Sequence, residues 1–375
     1  MTESAAIRKA MVYHVPFLLN PDAKTASGIR PVKMRQAFED LGYDVLEISG
    51  HARERAAAFA RLRRAVKEGA RFEFVYSEAA TLPTALTGPS RLPTHPFLDY
   101  RIFAFCKRHG IPVGVFYRDI YWNFPEYTRT VHRVVALGTR TFYRLDLLAY
   151  RTLVSRIFLP SMRMAAEMPL TRVSQCRALP PGSDVVESPV PDGKLGLFYV
   201  GGLGAYYRLH ECVAAVADSA DATMILCTRP QQWEAHRAEY EPLLGGRTTV
   251  VHDSGAALQQ HYDRASLGVL FLEPIPYREF AAPLKLYEYL AQGKPVIAAQ
   301  GSLAGEFVQE NGVGWVLPYR AAGLRDLLER LAAHPEEYEA VRNQVLATRE
   351  SHTWAARAAQ VEEDLVSKQL APAKR

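Results

Sequence analysis

The chain has 375 residues, 48% of them hydrophobic and 23% charged, with a formal net charge of +5. That length suits two domains of ordinary size, and the composition is that of a folded globular protein, not a disordered or fibrous one. The apolar runs, such as residues 267–272, are strand-sized and too short to span a bilayer. The opening Met1-Thr2-Glu3-Ser4-Ala5-Ala6-Ile7-Arg8-Lys9 has charge but no apolar core, so no export signal is expected. Cys106, Cys176, Cys212 and Cys227 are scattered, with no C-x-x-C pair and no metal-ligand spacing. They read as reduced, buried thiols of a cytoplasmic protein.

Charge is unevenly shared. Residues 1–190 hold 27 Lys and Arg against 17 Asp and Glu, and residues 191–375 hold 18 against 23. The basic excess gathers between Arg129 and Arg163, interleaved with Phe142, Tyr143, Leu147, Leu148, Tyr150, Ile157 and Phe158. At helical spacing this makes a basic, aromatic amphipathic face. Such a face suits an anionic membrane surface, or equally an ordinary helix whose arginines snorkel over its own core. A nucleic-acid partner is not expected: no such module is visible and the second half is acidic.

In chain order, residues 10–15 predict a strand, 31–41 a helix, 43–48 a strand, 54–67 a helix and 72–76 a strand. A long loop over 77–95 is a functional candidate. Residues 96–108 predict a helix, 111–116 a fully buried strand, and 155–159 and 173–178 two further strands. Pro180, Pro181, Gly182, Pro189, Pro191 and Gly193 break the pattern, which puts a linker at 185–193. Strands at 195–200, 223–227, 248–251, 267–272, 296–299 and 314–317 then alternate with helices, and helices fill most of 321–368. This alternation predicts α/β architecture with parallel, doubly wound sheets.

The sharpest stretch is Pro283-Leu284-Lys285-Leu286-Tyr287-Glu288-Tyr289-Leu290-Ala291-Gln292-Gly293-Lys294-Pro295-Val296-Ile297-Ala298-Ala299. It reads as a short helix closed by glycine and followed at once by a buried strand, with Pro283 at the first helical position. Ala282 is a poor cap, so the first-turn amides stay open to an anion at the positive end of the helix dipole. Lys285 and Glu288, three apart, share one face there. A lysine holds a phosphate, and a carboxylate accepts from a sugar hydroxyl. Together they suit a nucleotide diphosphate sugar.

This stretch resembles the donor-binding segment of GT-B glycosyltransferases, especially the retaining family-4 type, with its pattern P-x-K-x-x-E-x-x-A-x-G-x-P-V-I-A. The resemblance implies two facing Rossmann-like, doubly wound domains with a C-terminal helix crossing back. It gives an acceptor-binding domain at 1–188, a donor-binding domain at 189–352 and a returning helix within 353–375. Pro180–Asp184 resembles the turn that commonly ends the first domain in this family. In the family pattern a glutamate precedes the position of Glu288 by eight. Here that position is Phe280, with Glu279 one residue away, so either Glu279 serves as the catalytic carboxylate or the backbone of Phe280, Ala281 and Ala282 contacts the sugar; equally, Glu279 reads as a loop carboxylate paired with Arg278.

Three other constellations carry chemistry. Gly201-Gly202-Leu203-Gly204 follows a strand and precedes a helix, where glycines let backbone amides approach a phosphate. Gly202 and the nearby Arg208 join Pro283, Lys285 and Glu288 as donor-binding candidates. After the strand at 111–116 come Arg118, Asp119 and Trp122. Asp119 is a candidate to orient or deprotonate the acceptor hydroxyl, Arg118 to contact an acidic group, and Trp122, with Tyr121 and Phe124, to stack on a sugar; the alternative is an Arg–Asp pair stapling the loop. Ser27, Gly28 and Arg30, in the loop after the first strand, complete the acceptor-binding candidates, and Glu78 is a weaker one. With no Asp-x-Asp motif, no metal or other cofactor is expected, and Arg208, Lys285 and helix amino termini would stabilise the leaving diphosphate. The resulting expectation is transfer of a sugar from a nucleotide diphosphate sugar to a hydroxyl of a glycan or lipid-linked acceptor, in polysaccharide or glycolipid assembly, in the cytoplasm or at the inner face of the membrane. A non-catalytic partner protein of the same fold and a sugar-nucleotide epimerase stay open as other classes.

Overall fold

The structure, a computed structural model, describes residues 9–23, 25–88, 95–125, 127–191, 193–275 and 282–366. The chain divides into two compact units, Met1–Pro180 with Trp354–Arg375, and Pro181–Thr353.

In the first unit, β1 (Ala10–His14), β2 (Asp44–Ile48), β3 (Val75–Glu78), β4 (Val113–Phe116), β5 (Arg156–Leu159) and β6 (Cys176–Ala178) form one parallel sheet in the order β2-β1-β3-β4-β5-β6. Its helices are α1 (Ala26–Asp40), α2 (Ala52–Lys67), α3 (Leu98–Arg108), α4 (Tyr127–Thr130), α5 (Arg133–Leu153) and α6 (Met162–Glu167). The second unit repeats the plan. β7 (Leu195–Val200), β8 (Ala222–Cys227), β9 (Thr248–Val251), β10 (Leu267–Leu270), β11 (Val296–Ala299) and β12 (Gly314–Leu317) form a parallel sheet in the order β12-β11-β10-β7-β8-β9. Its helices are α7 (His210–Asp218), α8 (Pro230–Tyr240), α9 (Gln259–Tyr262), α10 (Leu284–Ala291), α11 (Leu303–Asn311), α12 (Ala321–Ala333) and α13 (Pro335–Thr348). The central strands are apolar throughout because helices cover both faces; every residue of β4, β10 and β11 is buried.

The last helix, α14 (Trp354–Val366), packs against α1 of the first unit. Glu362 is held there by Lys9 at 2.7 Å and by the Tyr43 hydroxyl at 2.8 Å, and Gln360 donates to the Ala178 carbonyl at 2.7 Å. A Cβ on Gly114 of β4 would lie 2.9 Å from Leu365, so the glycine is what lets the helix approach this close.

The border lies earlier than the proline pattern suggests, at 180/181 in place of 188/189. The intervening residues belong to the second unit because they bond to it. Ser183 N donates to the His352 carbonyl and Val186 N to that of Ala291, both at 3.1 Å. Lys294, 1% exposed, donates to the Pro189 carbonyl at 2.6 Å, and burial pulls its pKa down to about 8.

Two elements differ from the sequence reading in ways that matter for the site. Helix α1 begins at Ala26, not near 31, and carries Pro31 inside it. Proline has no N–H for the carbonyl four residues back, so the Ser27 carbonyl is released; Arg118 Nη1 takes it at 2.9 Å. Strand β3 runs on through Ser77 and Glu78, residues whose polarity read as the start of a loop.

Asp146 of α5 is 2% exposed; it accepts from the Thr84 amide at 2.9 Å and from the Tyr100 hydroxyl. Burial pushes its carboxyl up from 3.8 to about 6. The native state therefore keeps this proton through a range where the unfolded chain has lost it, and Asp146 costs stability as pH rises through 6. The full effect is of order 3 kcal/mol. Asp146→Asn, neutral at every pH, is expected to raise stability at pH 7 relative to pH 4. Denaturant unfolding of both proteins across that range checks this; an unchanged difference between the two pH values would refute it.

Candidate functional site

In a doubly wound sheet, the strands at the reversal of order send their connections in opposite directions and leave an open crevice at their carboxyl ends. In the second unit that place is between β7 and β10; in the first it is between β1 and β3.

In the second unit the β7 side is the glycine turn. Gly204 has φ +122° and pairs with Tyr207, and the Gly202 carbonyl accepts from the Tyr199 hydroxyl at 2.6 Å. A Cβ on Gly202 would sit 3.2 Å from the Tyr207 ring and 3.3 Å from Gln232. The turn delivers Arg208, whose backbone carbonyl accepts from the Tyr319 hydroxyl at 2.9 Å and from Glu273 N at 3.2 Å. Its guanidinium meets the Glu273 carboxylate, just past β10, at 2.9 Å, with both side chains near half exposed.

The β10 side leads to α10. Pro283 is the N-cap, one residue before the position read from sequence, with extended backbone (φ −72°, ψ 129°) and no side-chain cap bond. The helix sits close on the sheet because Gly268 of β10 has no side chain: a Cβ there would fall 2.3 Å from the Tyr289 ring. The Tyr289 hydroxyl in turn accepts from Val200 N at the end of β7, 3.2 Å away, tying α10 to both strands of the crevice. Lys285 Nζ lies 2.5 Å from Glu288 Oε2, which also accepts from the Tyr262 hydroxyl at 3.2 Å. Burial and the Glu288 charge push the Tyr262 phenol well above its ordinary value, so it stays a donor. Sequence reasoning missed Tyr262, whose partner is 26 positions away and carries no spacing signal. It also missed the pair of His261 and Asp253, 2.6 Å apart at the end of β9. Glu279, Phe280 and Ala281 lie outside the described residues.

In the first unit a cavity of about 540 Å³ occupies the crevice. The segment after β1 and the start of α1 give Phe17, Asn20, Thr25, Ser27 and Gly28; the segment after β3 gives Thr81, Leu82 and Thr87; Arg118 comes from just past β4. Gly28 is needed there, since its Cβ would lie 2.5 Å from that of Ala23. Arg118 clamps the two walls: it donates to the Ser27 carbonyl on one side and to that of Ala79 on the other, both at 2.9 Å, and reaches Glu78 at 3.4 Å. Burial lowers its pKa, Glu78 opposes that, and Arg30 adds to it.

Arg30 and Trp122 are not where the sequence reading put them. Arg30 is 5% exposed, 3.2 Å from Glu78, with its guanidinium 3.6 Å over the Phe116 ring. It neutralises a fully buried carboxylate and is not among the residues that line the cavity. Trp122 is 2% exposed, stacked on Tyr143 at 5.0 Å and donating to the Tyr117 hydroxyl at 2.9 Å. Asp119 accepts from Tyr121 N at 2.8 Å and shapes the turn after β4.

Residues 233–363 match a family model described as glycosyl transferase-like. HepE of Anabaena, solved in complex with UDP, superposes with a TM-score of 0.66 at 14% identity, covering 95% of this chain and 100% of that one. Sucrose-phosphate synthase of Thermosynechococcus elongatus gives 0.62 at 17%, covering 97% and 99%. WaaG, a glycosyltransferase involved in lipopolysaccharide biosynthesis, gives 0.56 at 12%, covering 95% and 99%. No protein of curated function is significantly similar in sequence. The chain has the GT-B glycosyltransferase fold, with two Rossmann-like domains.

Lys285→Ala is expected to weaken binding of a nucleoside diphosphate by about 10- to 150-fold, the worth of a lost charge-assisted contact, and to leave the bare nucleoside nearly unaffected. Calorimetric titration of both ligands decides this, and equal losses would remove Lys285 from the diphosphate site. Gly268→Ala, which displaces Tyr289 and with it α10, is expected to cost about 1–3 kcal/mol of stability; urea unfolding measures it, and an unshifted midpoint would mean that α10 does not need the glycine.

Proposed function

We propose that the chain is a glycosyltransferase whose second unit binds a nucleotide diphosphate sugar and whose first unit binds the hydroxyl acceptor. One observation carries the reading: an uncapped helix start with Lys285 and Glu288 stands at the β7–β10 crevice, on the other side of which the glycine turn presents Arg208. Cations and free amides there suit a diphosphate, and a carboxylate one turn along suits the ribose hydroxyls. The GT-B neighbour HepE was solved with UDP and with UDP-glucose, which supports a uridine nucleotide as the donor.

In the proposed reaction the anomeric C–O bond to the diphosphate breaks through an oxocarbenium-like transition state, and its electron pair leaves with the phosphate. The acceptor oxygen forms the new bond, and its proton passes to a carboxylate. Asp119 is the described candidate, and Glu279 the other. Arg208, Lys285 and the first amides of α10 meet the charge of the departing diphosphate, so turnover without a divalent cation belongs to the proposal. Retention of configuration rests on the family-4 resemblance of Pro283–Ala298. The hydroxyl- and amide-bearing walls of the first cavity, Asn20, Thr25, Ser27, Thr81 and Thr87, suit a glycan or lipid-linked sugar acceptor, as in polysaccharide or glycolipid assembly in the cytoplasm.

Thermal unfolding with a panel of nucleoside diphosphates and their sugars tests the donor site. A ligand at a hundredfold excess over its Kd should stabilise by about 2.7 kcal/mol. Sugar transfer to added acceptor should persist in EDTA. Absence of any shift across the panel would sink the donor assignment; loss of turnover in EDTA with recovery in magnesium or manganese would overturn the metal-free part alone.

A further inference from the structure

Helix α5 is two-sided. Its inner face holds the wall of the acceptor cavity: the Tyr143 hydroxyl donates to the Thr81 carbonyl at 2.6 Å, Asp146 accepts from the Thr84 amide at 2.9 Å, and the Tyr150 and Thr84 hydroxyls meet at 3.1 Å. Its outer face has an apolar stripe. Val134, Leu137, Leu145 and Leu148 are 73%, 72%, 47% and 43% exposed. With Thr141 between them they follow one another at three and four residues, which is a single helical stripe opposite the buried Tyr143, Leu147 and Tyr150. A protein that stays in water does not ordinarily line up its large aliphatic side chains this way.

The charges on the same helix choose the occupant. Arg133, Arg144 and Arg151 are exposed and fall along one edge of the stripe, while the helix's one carboxylate, Asp146, is buried on the other side. A second copy docked antiparallel on this face would set arginine edge against arginine edge, which opposes association, and in either orientation α5 offers no exposed carboxylate to pair with them. An anionic lipid surface answers both features: headgroups pair with the arginines and the aliphatic stripe enters the acyl boundary. The helix is about 31 Å long, but its arginines keep it from crossing, and among the described residues no helix is long and apolar enough to span a membrane.

We propose that α5 is an interfacial helix that docks the first unit on an anionic membrane and so holds the acceptor cavity at the headgroups. The docking stands on α5 alone; its meaning for the acceptor rests on the glycosyltransferase reading.

Sedimentation with vesicles tests the docking without any turnover assay. The full chain should partition onto phosphatidylcholine–phosphatidylglycerol vesicles and far less onto phosphatidylcholine alone, and salt should reverse the binding. Reversal at Arg144 and Arg151 (R144E/R151E) should lower the partition coefficient by at least about tenfold. Leu137→Glu with Leu145→Glu should do the same, with unfolding midpoints kept as the check on folding. The four native cysteines are buried, so Leu145→Cys accepts an environment-sensitive dye selectively. Its emission should shift to the blue on anionic vesicles. Equal partition onto both vesicle types, binding that leaves the dye unshifted, or a dimer in solution that Leu145→Glu dissociates would each overturn the proposal, the last in favour of a second copy. Loss of donor binding in the panel above would leave this result untouched.

Discussion

A parallel sheet whose strand order reverses leaves a gap that nothing in the sheet can fill. The connections from β1 and β3, and from β7 and β10, depart to opposite sides and leave a crevice at those carboxyl ends. The rest of each site consists of ways to hold the flanking segments still. In the first unit, Pro31 frees the Ser27 carbonyl and Arg118 bridges it to Ala79 across the gap. In the second, the missing side chain of Gly268 lets Tyr289 sink against β10 and bond to β7, which fixes the start of α10 at the gap.

The ion pairs of the two units differ in kind. Glu78 is fully buried, and removing Arg30 would leave it with only the longer contact to Arg118, for a loss of up to about 3–5 kcal/mol, the range for breaking a buried pair. Such a pair is structure, not a site awaiting a ligand. Arg208 with Glu273, and Lys285 with Glu288, are partly open to water, and pairs of that type contribute about 0–1 kcal/mol. A diphosphate can therefore take their cations at little cost. This contrast leaves Arg208 and Lys285 as the cations open to a ligand in the proposed donor site, whereas Arg30 is buried against Glu78.

Much of this was legible in the sequence. Pro283–Ala298 encodes a helix end, a glycine stop and a buried strand within one short run, and the buried strands announce themselves as continuous apolar stretches. What could not be read depended on partners far along the chain. The start of α1 was hidden because a proline ordinarily marks a helix beginning, and only Arg118, 91 residues from Ser27, makes it tolerable inside. Glu78 reads as loop because its two arginines lie elsewhere in sequence. Trp122 reads as a stacking platform until Tyr143 is seen to cover it. The prolines at 180–191 suggested a linker, yet backbone bonds to Ala291 and His352 bind most of that stretch to the second unit.

Hydrogen–deuterium exchange with and without saturating UDP tests the central claim most directly, because it reports where the nucleotide sits without presuming turnover. Slowed exchange is expected in the glycine turn over 201–209 and in the first turn of α10, with the segment after β1 unchanged. Protection confined to residues 15–28, or none at saturation, would contradict a donor site at the β7–β10 gap.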